Sequence, residues 1–201
     1  MNIRLATAAV AAAGAALLTV APAATAAAPA GPAAAVPQAQ APLKADLNVA
    51  VKGAELKIGD KVHTLDLTGK ASLTIEAPTP TKLKTKVTGT LEVTGEDSEL
   101  GKVSLKSEAT GTAGFNSALQ PFPATLELTA TADLSVEKLA TEGRMFAAPE
   151  ELTAKDPVQL GGTLNQLPPK GQILDLKNPV DLVDSTGKVV GQGTKFPVSA
   201  V

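Results

Sequence analysis

The sequence predicts an all-β protein: an antiparallel meander forming a β-sandwich or an incomplete barrel, behind an N-terminal signal peptide and a disordered Ala/Pro-rich spacer. Three observations carry that reading. Two long runs alternate strictly between apolar or small residues and polar ones. Clusters of turn-forming residues separate one run from the next, and prolines fall between these two runs, not inside them.

In the first run Leu65, Leu67, Gly69, Ala71, Leu73 and Ile75 alternate with Asp66, Thr68, Lys70, Ser72, Thr74 and Glu76. In the second, Leu83, Thr85, Val87, Gly89, Leu91 and Val93 alternate with Lys82, Lys84, Lys86, Thr88, Thr90 and Glu92. A period of two puts one set of side chains on a core and the other in water. Pro78 and Pro80 lack the N–H that a ladder needs, so the pairing turns there and Leu65–Thr94 reads as one long hairpin.

The chain before these strands divides in two. Met1 to Arg4 supplies one positive charge, Leu5 to Val20 is apolar and Ala-rich, and Ala24-Thr25-Ala26 has the small-x-small pattern of a cleavage site. A membrane anchor is the competing reading, but the run is short, Ala-dominated and followed directly by Pro22. Residues 1–26 are therefore assigned as a signal peptide. Residues 27–42, nearly all Ala, Pro and Gln, form the spacer, because prolines at 29, 32, 37 and 42 break any helix the alanines would start. Residues 43–201 form a single domain, with 43–137 as the long-strand meander and 138–201 as shorter strands completing a second sheet.

Composition narrows the function classes. Removing the leader takes away Arg4 alone among charged residues, so the remaining 175 residues hold 17 basic and 20 acidic side chains, a net charge of about −3. Weak acidity with interspersed signs offers no footprint for nucleic acid or an anionic membrane. With no cysteine, the fold rests on burial without disulfides. There is no Trp and no Tyr, and only Phe115, Phe122, Phe146 and Phe196 are aromatic. Sugar clefts and single-strand nucleic-acid sites stack their ligands on such rings, so both classes lose support.

The strands follow in order. Leu47, Val49 and Val51 alternate with Asp46, Asn48 and Lys52, and Gly59-Asp60 suits a two-residue hairpin turn between Glu55–Ile58 and Lys61–Thr64. After the long hairpin, Gly95–Gly101 turns the chain into Val103, Leu105, Ser107, Ala109, Gly111 and Ala113. A loop over 114–124 holds Phe115 and Phe122, and Leu126 to Val136 makes the fourth long strand. Glu137 to Phe146 reads as one helical turn or a loop, and Gly143 argues against a long helix. Beyond it lie short apolar pieces, with a hairpin turn at Asp184-Ser185-Thr186-Gly187 and with Pro179 in an edge or linker position.

Registers centred on the turns generate one further feature. Centring the first turn on Thr79 places Gly69 opposite Gly89, centring the next on Ser98 places Gly89 opposite Ser107, and symmetric closure of the Phe loop places Ser107 opposite Ala132. A row of small side chains then crosses four strands on the inward face. Interior glycines mark sharp bends or close approach. The row is thus a coiled corner, a groove filled by the protein's own Phe residues, or the floor of a ligand groove.

Constellations for chemistry are sparse. His63 is the single histidine; Asp60 or Asp66 are candidates to orient it, but beside a polar turn it reads as solvated. There is no nucleophile elbow, no thiol, and no set of ligands for zinc. Glu96-Asp97-Ser98-Glu99 offers oxygens in a turn, yet its spacing is not that of a calcium loop. Lys82, Lys84 and Lys86 read as a solvated strand face that blocks edge pairing, with Glu92 and Glu108 as candidate partners. Gly161-Gly162-Thr163 lacks the lysine of a phosphate cradle.

The Ala-heavy leader has the style of exported proteins of high-GC bacteria. The expected function is accordingly that of an exported, non-enzymatic bacterial envelope or extracellular protein, secreted or cell-wall associated, acting as a binding or structural β-module. No cofactor, metal or catalytic residue is assigned, and a cell-wall or extracellular component is the candidate partner. The alternative is a carrier of an apolar, lipid-like ligand in a groove over Gly69, Gly89, Ser107 and Ala132. An enzyme ranks third, since one histidine and no cysteine leave few catalytic options. A carrier keeps an apolar pocket of roughly several hundred Å³, whereas a structural module fills it. N-terminal sequencing of secreted material should read Ala27 first; an intact Met1 in a membrane fraction would overturn the leader assignment.

Overall fold

The computed structural model describes residues 41–141, 144–145 and 149–201, all within one compact unit over 39–201. The signal peptide and all but the last two residues of the spacer lie outside the described residues. Five long strands follow one another through local turns: β1 (Leu43–Ile58), β2 (Lys61–Ile75), β3 (Lys84–Asp97), β4 (Gly101–Phe115) and β5 (Ala124–Val136). In the stretch expected as a helical turn or loop, β6 (Ala140–Thr141) and β7 (Arg144–Met145) pair with each other. The short strands are β8 (Glu150–Ala154), β9 (Val158–Leu164), β10 (Gly171–Leu176), β11 (Val180–Val183), β12 (Val189–Lys195) and β13 (Val198–Ala200). The meander is antiparallel throughout, as the alternation predicts.

Residues 150–201 do not form a separate second layer; they close the same sheet on itself. Both β8 and β9 pair with β5, at its two ends. Both β12 and β13 pair with β1, and β11 and β10 stand between. Each couple β8/β9, β11/β10 and β12/β13 is one stave broken midway, so the ring has eight members. Closure lets a single sheet bury its own inner face and gives each member of the ring a neighbour on both sides.

Expected faces and observed faces agree, but two registers differ. In β2–β3, Gly69 faces Val93 and Gly89 faces Leu73, so the two glycines are not opposite one another. In β3–β4, Gly89 faces Ala109 and Leu91 faces Ser107. Ser107 does face Ala132. The reason lies in the turns. Thr79 and Lys82 exchange backbone hydrogen bonds of 3.0 Å in a tight turn of their own, and the Glu76 N–H donates to Lys86 O at 2.9 Å. The connection is thus not symmetric about Thr79. Both displacements are even, which keeps each residue on its expected face.

Gly69 belongs to the bends. A Cβ there would collide with the carbonyl oxygen of Glu92 on the neighbouring strand, and Gly111 and Gly162 stand in the same relation to the carbonyls of Glu127 and Ile173. These inward glycines let the strands coil tightly enough to close.

At the turn end of the barrel His63 faces inward, in phase with Leu65, and is buried, not solvated. Its Nδ1 lies 3.4 Å from Asp97 Oδ1. That oxygen also accepts the N–H groups of Glu99 and Leu100, each at 2.9 Å. Burial pushes the Asp97 carboxyl pKa up, but the two amides and the imidazole outweigh it, and the net direction is down. Glu99 is bound by Lys61 at 2.8 Å, so the acidic turn is closed by its own partners.

Two predictions follow from this architecture. Gly69→Ala and Gly111→Ala should each lower the urea unfolding free energy by about 1–3 kcal/mol through overpacking. Gly114→Ala, where the nearest atom to an added Cβ is 3.9 Å away, should stay within about 0.5 kcal/mol of wild type. Asp97→Ala strips two amides of their acceptor and should cost about 1–2 kcal/mol. The folded pKa of Asp97 lies below its unfolded value. Its contribution is therefore complete above about pH 4 and lost as pH falls through the lowered folded value. Unfolding midpoints of wild type and Asp97→Asn should begin to approach each other as pH falls below about 4 and meet once it is below the lowered folded value.

Candidate functional site

The inward residues of the long strands fall into two groups. Toward the ends Ile75, Val103, Ala113 and Val136 are sealed from solvent. At the waist Ala71, Gly89, Leu91, Leu105, Ser107 and Ala132 are only half-buried although they face inward. A solid barrel would show the opposite trend. The waist is hollow.

The hollow consists of two cavities, of about 90 Å³ and about 50 Å³, both bordered by Leu91, Ser107 and Leu160. Three of the four residues of the predicted row line them: Ala132 the larger, Gly89 the smaller, and Ser107 both. Gly69 lines neither, and the row as a continuous groove floor is corrected by the registers above. The smaller cavity also touches Ser72 and Thr90, whose hydroxyls bond each other at 2.8 Å on the outer face. Inside, the lining is apolar, aliphatic side chains with Phe196, apart from Ser107. At the rim of the larger cavity Glu55 and Lys195 stand opposite each other on β1 and β12.

The other candidates lie elsewhere. His63 and Asp97 line neither cavity. Asp66 accepts the Gly53 N–H at 2.8 Å and does not orient the imidazole. Lys82 pairs with Glu76 at 2.9 Å and Lys84 lies 3.9 Å from Glu127, while Glu92, a candidate partner of this face, pairs with Lys106 at 3.5 Å instead. Lys177 reaches Glu127 at 3.0 Å, where burial effects are small and the ammonium holds the carboxyl below its usual range.

One feature of the site escaped the residue-by-residue reading. The three broken staves restart at Asp156-Pro157-Val158, Asn178-Pro179-Val180 and Phe196-Pro197-Val198. The signal was available as a Pro-Val pair repeated three times. Each proline removes a ladder donor where its stave parts. The breaks are adjacent in space: the Lys155 N–H donates to Asp181 O, the Lys177 N–H to Gln159 O, and Lys195 and Val198 flank the third break opposite Glu55 and Val51. There β1 carries its own irregularity between Val51 and Ala54, with Gly53 at φ +67°.

No protein-family model matches the sequence, and no curated protein matches it. Among solved structures, that of DynF from the dynemicin biosynthesis pathway of Micromonospora chersina is similar, with a TM-score of 0.62 at 16% identity over 81% of either chain. At that identity the likeness is one of fold. It corrects the expectation of a structural or general binding β-module. The fold is shared with a protein of a biosynthesis pathway, and its barrel here is hollow where a structural module would be filled. Of the two expectations, the one supported is the apolar-ligand alternative.

Proposed function

We propose that this protein binds and carries a small, slender apolar molecule inside the barrel. The observation that supports the reading is the inverted burial at the waist, where inward residues keep accessible surface around an aliphatic hollow. The two cavities together are comparable with the ~150 Å³ apolar cavities that stay dry and admit a benzene-sized guest. This is less than the roughly 300–1,000 Å³ of drug-sized sites, which favours a narrow guest over a bulky one. Ser107 offers a single hydrogen-bonding group at the junction of the cavities. Among the described residues the charged groups of the lining, Glu55 and Lys195, stand at the rim and not in the apolar interior, which favours binding. The leader favours action outside the cytoplasm.

Fluorobenzene followed by fluorine NMR tests the reading. Wild type should shift and broaden the probe resonance, and at ten times Kd the probe should stabilise the fold by about 1.4 kcal/mol. Ala132→Leu fills the larger cavity and should abolish both effects while leaving the free protein folded. A wild-type protein that leaves the probe unchanged at millimolar concentration overturns the proposal.

A further inference from the structure

A ligand held in the waist must have a way in, and both barrel ends are closed among the described residues. Leu100 and Leu139 are buried at the turn end, with the Lys138 N–H bonded to Leu100 O at 2.9 Å. At the other end Phe115 and Leu164 are buried, and Phe122 stands edge-on to Phe115 with ring centroids 6.3 Å apart.

The wall is different. The larger cavity is bordered by the residues on either side of two breaks, Ala154 and Val158, Leu176 and Val180, and by Lys195 and Phe196 at the near side of the third. It also reaches Ala54 and Glu55, directly after the irregularity in β1. Along this seam two ladder positions are held by side chains instead of carbonyls. The Phe196 N–H donates to Asp175 Oδ1 at 3.2 Å, and the Gly53 N–H to Asp66 Oδ1 at 2.8 Å. Three prolines contribute no donor across it. Opening the seam therefore disrupts fewer backbone bonds than parting intact strands.

Resting on the reading of the waist as a ligand hollow, we propose that the apolar guest passes through the barrel wall at the seam of Pro157, Pro179 and Pro197. Phe196 is its movable cover and the Asp175 carboxylate its latch. The guest's apolar end goes inward toward Ser107. A polar end remains at the rim beside Glu55 and Lys195.

Fluorobenzene exchange rates from fluorine NMR line shapes test the route. Phe196→Ala should raise association and dissociation rate constants together by about tenfold, with Kd changed by less than about threefold, because a cover alters passage more than the bound state. Asp175→Ala should act in the same direction. Phe122→Ala, at the closed end, should leave both rates within about twofold of wild type. Faster exchange in Phe122→Ala with unchanged rates in Phe196→Ala overturns the seam while the hollow stands. A probe that does not bind wild type overturns both. Should Phe196→Ala fail to fold, amide exchange of the wild-type protein reads the same opening: Val158, Val180 and Val198 should exchange about tenfold faster than Val87 and Val103 of the intact strands. Equal protection overturns the proposal.

Discussion

The pairing of β1 with β12 and β13 is the contact on which the rest of the architecture depends. It joins residues far apart in the chain, Glu55 with Lys195 and Val49 with Ala200, and it converts an open meander into a ring. An open sheet of this sequence would expose a face of Leu, Val and Ile along five long strands. Closure hides that face without a second layer, and the inward glycines are its geometric condition. Gly69, Gly111 and Gly162 lie where a neighbouring carbonyl crosses the inner surface, so any side chain there opposes the coil that brings β1 and β12 together.

An eight-membered ring is just wide enough for ordinary side chains to fill. Here the waist has Ala71, Gly89, Ser107, Ala109 and Ala132 where bulkier residues would meet, and no Trp or Tyr anywhere supplies the missing volume. At ~24 cal/mol per Å³, voids of this size forfeit on the order of 3 kcal/mol relative to a filled barrel. The sealed ends, with Ile75, Val136, Leu152 and Leu164 in full burial, offset that loss. Small residues thus leave space at the waist, whereas at the ends Ala113 and Ala124 are packed under bulkier neighbours and leave none.

Much of this was legible in the residues, for identifiable reasons. Alternation is a local property, so the faces of β2 to β5 and the inward position of the small residues could be read directly. Register is set by turn geometry. The private Thr79–Lys82 turn slid Gly69 away from Gly89, while the Ser107–Ala132 pair came out as expected. His63 was misread because its polar neighbours in sequence are not its neighbours in space; its phase with Leu65 placed it inward. Closure could not be read from any one segment, because it joins Glu55 to Lys195. The Pro-Val pairs were visible, but their meaning needed three staves side by side.

The aliphatic lining has an optical consequence. With no indole or phenol in the chain, the protein contributes almost nothing to near-ultraviolet circular dichroism beyond weak phenylalanine bands. A conjugated guest fixed between Leu91 and Leu160 would sit in a chiral cage that is itself nearly dark. Its induced dichroism would then report the guest's own chromophore, so the near-ultraviolet spectrum of material taken from its natural source would show whether such a guest is bound.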